Sequence, residues 1–372
     1  DGLVPLQGLL DSFINAENEA SADYLRQGGL RRRIRILSQL ARTLNQLHAR
    51  GMLYGDLSPS NIFVSDDPIH AETWLIDCDN ISLETHSGLT LHTADYGAPE
   101  VVRGDALLSS LTDSWSFAVI AYQLLTHNHP FKGELVSNGE PNEEEAALRG
   151  EHPWIYDTQD DTNQCFANLP IQLVEHSKLP ALFCRCFEQG LCSPCERPSM
   201  AEWLEALAEI DEHLYCCDGC GGTTLLPAEL DSLNEASCFF CDEPADSRLV
   251  LFEEFITLPD EAEGSSEEPG NMIATGRKVW LQPGGDLELK RLMPTFSYDR
   301  WPADHLRIEY SDQGLVIYPL SQSKLHLQRG SVKKPLERYQ GLKESLRGQH
   351  EEPYRLHVGE LAESHVIWQF RW

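Results

Sequence analysis

The stretch Leu53–Val64 reads Leu-Tyr-Gly-Asp-Leu-Ser-Pro-Ser-Asn-Ile-Phe-Val, and Leu75–Asp79 follows it as Leu-Ile-Asp-Cys-Asp. In the first segment Asp56 is separated by four residues from Asn61, and an apolar run comes next. In the second segment Asp77 follows another apolar run. Carboxylate and amide oxygens in this order can orient a hydroxyl nucleophile and hold magnesium against phosphates. The spacing therefore indicates a phosphoryl-transfer site.

Three further motifs follow in a fixed order: Tyr96-Gly97-Ala98-Pro99-Glu100, Asp113-Ser114-Trp115-Ser116-Phe117 and Glu196-Arg197-Pro198. Together with the first two segments they resemble the C-terminal lobe of the protein-kinase family, in its bacterial serine/threonine form. The resemblance covers residues 1–212. It implies an α+β multidomain chain that begins with a mainly helical lobe, and it implies ATP and Mg²⁺ as cofactors.

The resemblance assigns roles to the two opening segments. Asp56 matches the base that positions the substrate hydroxyl, whereas Asn61 and Asp77 match the ligands of the magnesium ion. Asp79 replaces a Gly that is usual in the family. Its carboxylate either adds a magnesium ligand or caps the next turn, and the sequence leaves both open.

The later motifs supply the parts around the catalytic residues. Thr93 and Tyr96 match the loop that faces a protein substrate in this family. The resemblance also implies a buried ion pair between Glu100 and Arg197, which is tolerated only when both partners are present. Asp113 is expected to accept hydrogen bonds from the backbone of the catalytic loop.

Two positions depart from the family pattern. Tyr54-Gly55 stands where kinases usually have His-Arg, and that Arg normally receives a phosphate on the activation loop. We therefore expect any activity to be independent of that switch. Ser58 stands where a Lys usually neutralises the transferred phosphoryl group, so catalysis is expected to be slower or differently supported.

Four cysteines form two Cys-x-x-Cys pairs, separated by seventeen residues: Cys217, Cys220, Cys238 and Cys241. Two such pairs at this separation fit a tetrahedral Zn²⁺ site and resemble a zinc ribbon, which we assign to residues 213–245. A redox function needs only one pair. Cys216 is an alternative to Cys217 as a zinc ligand. Cys192 and Cys195 form a further Cys-x-x-Cys pair, which indicates metal binding less strongly.

The remainder of the chain differs in composition. Residues 246–270 are acidic and contain Pro, Gly and Ser, which predicts a linker. Residues 271–372 contain clusters of β-forming residues between turns, which predicts a small sandwich or barrel. Forkhead-associated domains are one such sandwich, but no phosphopeptide-binding motif is specific enough to assign that family.

The bulk composition narrows the function classes. The 372 residues include 59 acidic and 29 basic side chains, for a formal net charge of -30. This charge argues against nucleic acid and anionic membrane as partners. No apolar run reaches the roughly 20 residues that span a bilayer, and no basic-then-apolar leader opens the chain. We therefore expect a cytoplasmic protein with reduced thiols.

Three functions remain open. The first is phosphorylation of Ser/Thr in protein substrates, with the zinc and β-rich regions recruiting partners. The second is a small-molecule phosphotransferase, because Gly55-Asp56-Leu57 also resembles aminoglycoside and choline kinases. The third is a non-catalytic pseudokinase scaffold, since the sequence has no Gly-x-Gly-x-x-Gly and no Val-Ala-x-Lys motif. We accordingly expect an N-terminal lobe, upstream or in trans, and an inactive chain without it.

Overall fold

The computed structural model describes residues 2–14, 20–86, 92–227, 236–257, 272–290, 304–320, 324–361 and 363–372. The chain forms two compact units. Unit 1 comprises Asp1–Leu225 and Cys238–Glu243, and unit 2 comprises Leu226–Ser237 and Pro244–Trp372. Among the described helices, none is long and apolar enough to cross a membrane.

Helices build most of the core of unit 1. They are, in chain order, α1 Gln7–Ile14, α2 Ala20–Arg26, α3 Gly29–His48, α4 Pro99–Val102, α5 Ser110–Thr126, α6 Glu134–Ser137, α7 Asn142–Leu148, α8 Leu179–Cys184, α9 Gly190–Cys192 and α10 Met200–His213. Helix α3 buries apolar side chains at three- and four-residue spacing, from Ile34 through Leu37 to Leu44. Helix α5 is buried over most of its surface, and both α3 and α10 lie in the same core.

The start of α3 is joined to α5 through Arg33, whose side chain is fully buried. Its guanidinium donates hydrogen bonds to the carbonyls of Leu124 (3.0 Å), Gly29 (3.1 Å) and Tyr24 (3.2 Å). It also lies 3.7 Å from the centre of the Tyr24 ring. Burial lowers the pKa of Arg33 to about 10, so the group remains charged at neutral pH. Three carbonyls and an aromatic face thus replace the water that a charged group would otherwise need.

Short strands hold the loops between the helices. They are β1 Leu3–Pro5, β2 Met52–Leu53, β3 Ile62–Ser65, β4 Thr73–Leu75, β5 Ser82–Leu83, β6 Leu214–Cys216 and β7 Thr223–Leu225. Strand β3 pairs with β1 and β4, β2 pairs with β5, and β6 pairs with β7. Residues 54–61 therefore connect β2 to β3, and residues 76–81 connect β4 to β5. These pairings place the two loops beside each other.

Unit 2 contains two antiparallel sheets. Its strands are β8 Val250–Thr257, β9 Met272–Leu281, β10 Asp286–Lys290, β11 Asp304–Ser311, β12 Gly314–Pro319, β13 Leu325–Arg329, β14 Val332–Pro335, β15 Gln340–Lys343, β16 Tyr354–Val358 and β17 His365–Phe370. One sheet has the order β14-β13-β16-β17-β8-β9, and the other has the order β10-β11-β12-β15. Side chains from both sheets, among them Phe252, Ile308 and Trp368, share one apolar core.

Part of the segment interpreted as a linker lies in this larger sheet. Strand β8 pairs with β9 and β17, and Phe252 is fully buried. The apolar residues Val250, Leu251 and Phe252 favour this strand over a solvated linker, whereas the most acidic part of the segment, residues 258–270, lies outside the described residues.

Candidate active site and cysteine cluster

The loop that follows β2 is fixed by Asp113, a residue of α5 whose side chain is only 2% exposed. One carboxylate oxygen, Oδ2, accepts hydrogen bonds from the Tyr54 amide (2.7 Å) and from His48 Nε2 (3.0 Å). The other oxygen accepts from the Gly55 amide at 3.0 Å. A buried carboxylate needs such donors to offset its lost hydration. Gly55 has φ of 92°, a backbone conformation that favours glycine.

Asp56 and Asn61 lie next to each other across this loop. The side-chain nitrogen Nδ2 of Asn61 donates to the backbone carbonyl of Asp56 at 3.0 Å and lies 3.4 Å from Asp56 Oδ2. Because the nitrogen is used in this way, the Asn61 side-chain oxygen remains available as a metal ligand.

Asp77 lies two residues after the end of β4. The Ile76 amide donates to the Asn61 carbonyl at 3.0 Å, which brings the second acidic segment to the end of the first. Asp77 has a left-handed backbone with φ of 55°, and its side chain is exposed. Asp79 is also exposed, and it lies in the short turn Cys78–Asn80. The carboxylates of both residues can be reached by a cation in solvent.

Tyr54 connects the two segments by a contact that the sequence did not suggest. Its hydroxyl donates a hydrogen bond to the backbone carbonyl of Ile76, the residue before Asp77. The ring of Tyr54 is buried. The tyrosine that departs from the family pattern therefore supports the backbone that carries Asp77.

The loop Thr93–Tyr96 reaches back to the same site. The Thr93 hydroxyl donates to Asp56 Oδ1 at 2.7 Å. The Tyr96 amide donates to the Thr93 carbonyl at 3.2 Å, and Ser116 Oγ donates to the Tyr96 carbonyl at 2.7 Å. A hydroxyl on this loop thus occupies one oxygen of the acid to which the resemblance assigns the base role.

Glu100 and Arg197 form a buried ion pair at the other end of this segment. Arg197 Nη1 and Nη2 donate to Glu100 Oε1 and Oε2, each at 2.8 Å. The Arg197 side chain is 0% exposed and the Glu100 side chain is 10% exposed. The remaining Arg197 donors reach the carbonyls of Gly190 (2.9 Å) and Leu111 (3.1 Å). All three guanidinium nitrogens thus donate hydrogen bonds, which offset the cost of burying the charge.

The sulfur atoms of four cysteines converge in unit 1. Cys217, Cys220, Cys238 and Cys241 have Sγ atoms that all lie within 4.8 Å of one another, and they form the one such group found among the described residues. Cys217 and Cys241 are 3.6 Å apart and Cys220 and Cys238 are 3.5 Å apart. Thiolates around one tetrahedral zinc, each about 2.3 Å from the ion, would be separated by about 3.8 Å, so the group has the size of a zinc site.

Backbone amides are aimed at two of these sulfurs. The Gly222 amide donates to Cys220 Sγ at 3.3 Å, and the Phe240 amide donates to Cys238 Sγ at 3.4 Å. Burial outweighs the Gly222 donor at Cys220 and raises its pKa to about 12. At Cys238 burial also raises the pKa, but the hydrogen bonds from Phe240 and Thr224 outweigh it and bring the pKa to about 7. Such donors stabilise a thiolate, which is the form that binds a metal.

The cysteine pairs pack against the helices of unit 1. The Phe240 ring lies 5.9 Å from the Tyr24 ring, and Arg31 of α3 donates to the Leu214 carbonyl at 3.1 Å. The other candidate cysteines are not part of the group: Cys192 and Cys195 are exposed, and Cys216 Sγ faces the Gly221 carbonyl at 3.7 Å.

Comparison with known proteins identifies the family. Residues 15–206, half of the chain, match the protein kinase domain family. The chain belongs to this family, which confirms the resemblance seen in the spacing of the motifs, and its fold is that of a kinase domain with mixed helices and sheets.

The relatives include bacterial and animal enzymes. Over 132 residues, 33% of the chain, it is 32% identical to the serine/threonine-protein kinase pkn2 of Myxococcus xanthus and covers 16% of that protein. The chain is also 35% identical to the Pkn1 kinase of the same organism over 108 residues. These residues are 27% of the chain and 15% of that kinase. Over 99 residues, the chain is 34% identical to the human ribosomal protein S6 kinase alpha-3. These residues are 26% of the chain and 13% of that kinase. The chain thus matches about a sixth or less of the length of these relatives.

Proposed function

We propose that this protein transfers a phosphoryl group from ATP to Ser or Thr hydroxyls of protein substrates, with Mg²⁺ as the cofactor. Membership of the protein kinase family supports the reaction class, and its serine/threonine kinase relatives support the acceptor. The observation that carries the proposal furthest is the 2.7 Å hydrogen bond between Thr93 and Asp56. It brings a hydroxyl-bearing loop onto the acid that would receive the proton of a substrate hydroxyl.

The residues divide the work as follows. Asp56 orients the attacking hydroxyl and accepts its proton, while Asn61 Oδ1 and the Asp77 carboxylate would hold Mg²⁺. The metal supplies charge stabilisation for the transferred phosphoryl group. Asp113 fixes the backbone of the loop from which Asp56 projects, and the Glu100–Arg197 pair anchors the end of the segment that carries Thr93 and Tyr96. We also propose that Asp79, which is exposed beside Asp77, adds a carboxylate to the metal.

Single substitutions in the full-length gene product test these roles. Asp77→Asn should lower the rate of peptide phosphorylation by roughly a hundredfold or more, because it removes a charged metal ligand. Asp79→Asn should have a smaller effect, and Asp66→Asn, at an exposed acid in the turn after β3, should have none. If Asp77→Asn and Asp66→Asn gave equal rates, the magnesium role of Asp77 would be wrong.

Thr93→Ala separates the candidate acceptors. It should impair the phosphorylation of a protein or peptide and leave the hydrolysis of ATP by water nearly unchanged. Phosphorylation of a sugar or amino alcohol, with a peptide panel unlabelled, would favour the small-molecule phosphotransferase. ATP binding without any transfer would favour the pseudokinase scaffold.

We further propose that Cys217, Cys220, Cys238 and Cys241 bind one structural Zn²⁺. The mutual approach of their sulfurs supports this, and so do the amide donors on Cys220 and Cys238. Metal analysis of the purified protein should give one zinc per chain.

The C-terminal β-rich region would then recruit substrates or partners in the cytoplasm. This rests on its place in the chain, where it follows the unit that carries the proposed catalytic residues. Deleting it should leave transfer to a short peptide unchanged and slow transfer to the protein substrate.

A further inference from the structure

We propose that Lys132 and His129 are positioning residues, which hold the loop Thr93–Tyr96 so that a protein substrate is presented correctly to Asp56. The inference rests on the proposed function, because it concerns how that same site binds its acceptor. Neither residue belongs to a motif of the sequence.

The loop contains a residue that needs outside support. Asp95 has φ of 74°, a left-handed conformation that is uncommon for residues other than glycine, although Asp and Asn adopt it more readily than most. Such conformations persist where the surrounding structure holds them, and they cluster at functional sites. Asp95 lies between Thr93, which contacts Asp56, and Tyr96, whose carbonyl is bound by Ser116.

Two residues from the turn after α5 hold Asp95. Lys132 Nζ lies 2.8 Å from Asp95 Oδ1, and His129 Nε2 lies 3.1 Å from the Asp95 carbonyl. The Phe131 amide donates to His129 Nδ1 at 3.2 Å, so Nδ1 is unprotonated and Nε2 carries the proton that is donated to Asp95. The backbone and the side chain of Asp95 are therefore fixed separately.

Lys132 has a second carboxylate partner. Its ammonium group lies 2.7 Å from Glu144 Oε1, on α7. The lysine side chain is 22% exposed, whereas Asp95 and Glu144 are 35% and 54% exposed. Burial opposes the charge of Lys132, but the hydrogen bonds to Asp95 and Glu144 prevail and raise its pKa. Lys132 thus joins the loop to α7 through a partly shielded three-membered ion network.

This arrangement predicts a specific kinetic effect. Loss of the Lys132 contact leaves Asp56, Asn61 and Asp77 untouched, because none of them contacts Lys132. It removes one of the two contacts that hold Asp95, so Asp95 is held in the left-handed conformation by His129 alone and the position of Thr93 over Asp56 is less fixed. Affinity for the protein substrate should fall while ATP affinity is retained.

The test uses the full-length gene product with Lys132→Met, Lys132→Arg and Lys178→Met. Lys178 is a matched control, since its ammonium group also bridges two carboxylates, those of Glu205 (3.3 Å) and Glu209 (2.9 Å). We expect Lys132→Met to raise the peptide KM about fivefold, equivalent to ~1 kcal/mol, with the KM for ATP unchanged. Lys132→Arg keeps the charge and should restore the KM, and Lys178→Met should match the wild type.

Hydrogen exchange of the backbone amides of residues 93–97 provides a readout that does not need activity. Exchange there should accelerate in Lys132→Met and not in Lys178→Met. Asp95→Asn is the second variant: asparagine tolerates the left-handed conformation but loses the ion pair, so it should change exchange in the same direction by less. Its result decides the matter if Lys132→Met does not fold.

The outcomes separate the two ideas. Faster exchange in a protein that phosphorylates nothing would overturn the proposed function and support the holding role of Lys132. Unchanged exchange and unchanged peptide KM in an active enzyme would overturn the positioning role and leave the proposed function standing. Equal changes in Lys132→Met and Lys178→Met would also overturn it.

Discussion

Arg197 and Glu100 are 97 residues apart in the sequence, yet two guanidinium nitrogens of Arg197 each lie 2.8 Å from a carboxylate oxygen of Glu100. The pair is buried, and the Arg197 guanidinium also lies 4.8 Å from the Trp115 ring. It connects α4, which ends the segment carrying Thr93, to the turn before α10. The geometry of the segment that carries Thr93 and Tyr96 therefore depends on a residue about 100 positions further along the chain.

Removing one partner of this pair should be strongly destabilising. Arg197→Met leaves the Glu100 carboxylate buried without its counter-charge, which typically costs about 3–5 kcal/mol of unfolding free energy. Urea denaturation followed by circular dichroism measures the loss. Arg185→Met is the control, because the Arg185–Glu202 pair is 36% and 45% exposed and should contribute less than about 1 kcal/mol. Equal losses in both variants would contradict the buried-pair interpretation.

Tyr54→Phe should weaken the support of Asp77 without altering any charge. It removes one hydroxyl and leaves the Ile76 carbonyl without this donor, at a cost of about 1 kcal/mol. We expect a lower kcat and a higher Mg²⁺ concentration for half-maximal rate, because the backbone before Asp77, the proposed metal ligand, is held less firmly. Tyr156→Phe is a control away from Asp77, because the Tyr156 hydroxyl also forms a hydrogen bond with a backbone group, that of Ile171. An unchanged Mg²⁺ dependence in Tyr54→Phe would contradict the prediction.

Removal of the proposed zinc ion should destabilise unit 1. The cysteine pairs pack on α2 and α3 through Phe240 and Arg31. Binding of the ion should therefore stabilise these helices as well as the cysteine pairs. Cys238→Ser should lower both the zinc content and the unfolding temperature, and chelation of the wild-type protein should do the same. Cys195→Ser, at an exposed thiol outside the cluster, should change neither. Full zinc content in Cys238→Ser would contradict the four-cysteine site.

Stability should fall as the pH falls from about 6.5 to about 4. Burial lowers the pKa of His129 to about 4 and that of His127 to about 3, below the unfolded value near 6.5. In this range the unfolded chain takes up protons that the folded chain does not. Each of these histidines therefore lowers the free energy of unfolding by up to about 1.4 kcal/mol for each unit by which the pH falls. His129→Gln should flatten the slope of unfolding free energy against pH. His176→Gln, at a histidine whose side chain is 47% exposed, is the control variant.

The family could be predicted from the sequence because its motifs are short and locally spaced. Asp56 and Asn61 are separated by four residues, and Glu100 follows Pro99 directly, so each motif is visible without knowing the path of the chain. The match to the kinase family confirms that assignment. The roles of the individual residues stay predictions.

The contacts of Tyr54 and His129 could not be predicted. Each donates to a backbone carbonyl, of Ile76 and Asp95 respectively, and a carbonyl is present at every residue. A partner of this kind leaves no signature in the sequence. The Lys132–Asp95 pair was equally hidden, because opposite charges 37 residues apart are common in a chain with 59 acids.

The chain path of unit 1 bears on how the protein folds as it is made. Cys238–Glu243 belongs to unit 1 although Leu226–Ser237, which precedes it, belongs to unit 2. The ten helices described for unit 1 are therefore all synthesised before the last two thiols of the cluster leave the ribosome. Domains usually fold in order as they emerge. Here unit 1 would stay incomplete, with Cys217 and Cys220 lacking the other two cysteines of the cluster, until the first segment of unit 2 has been synthesised.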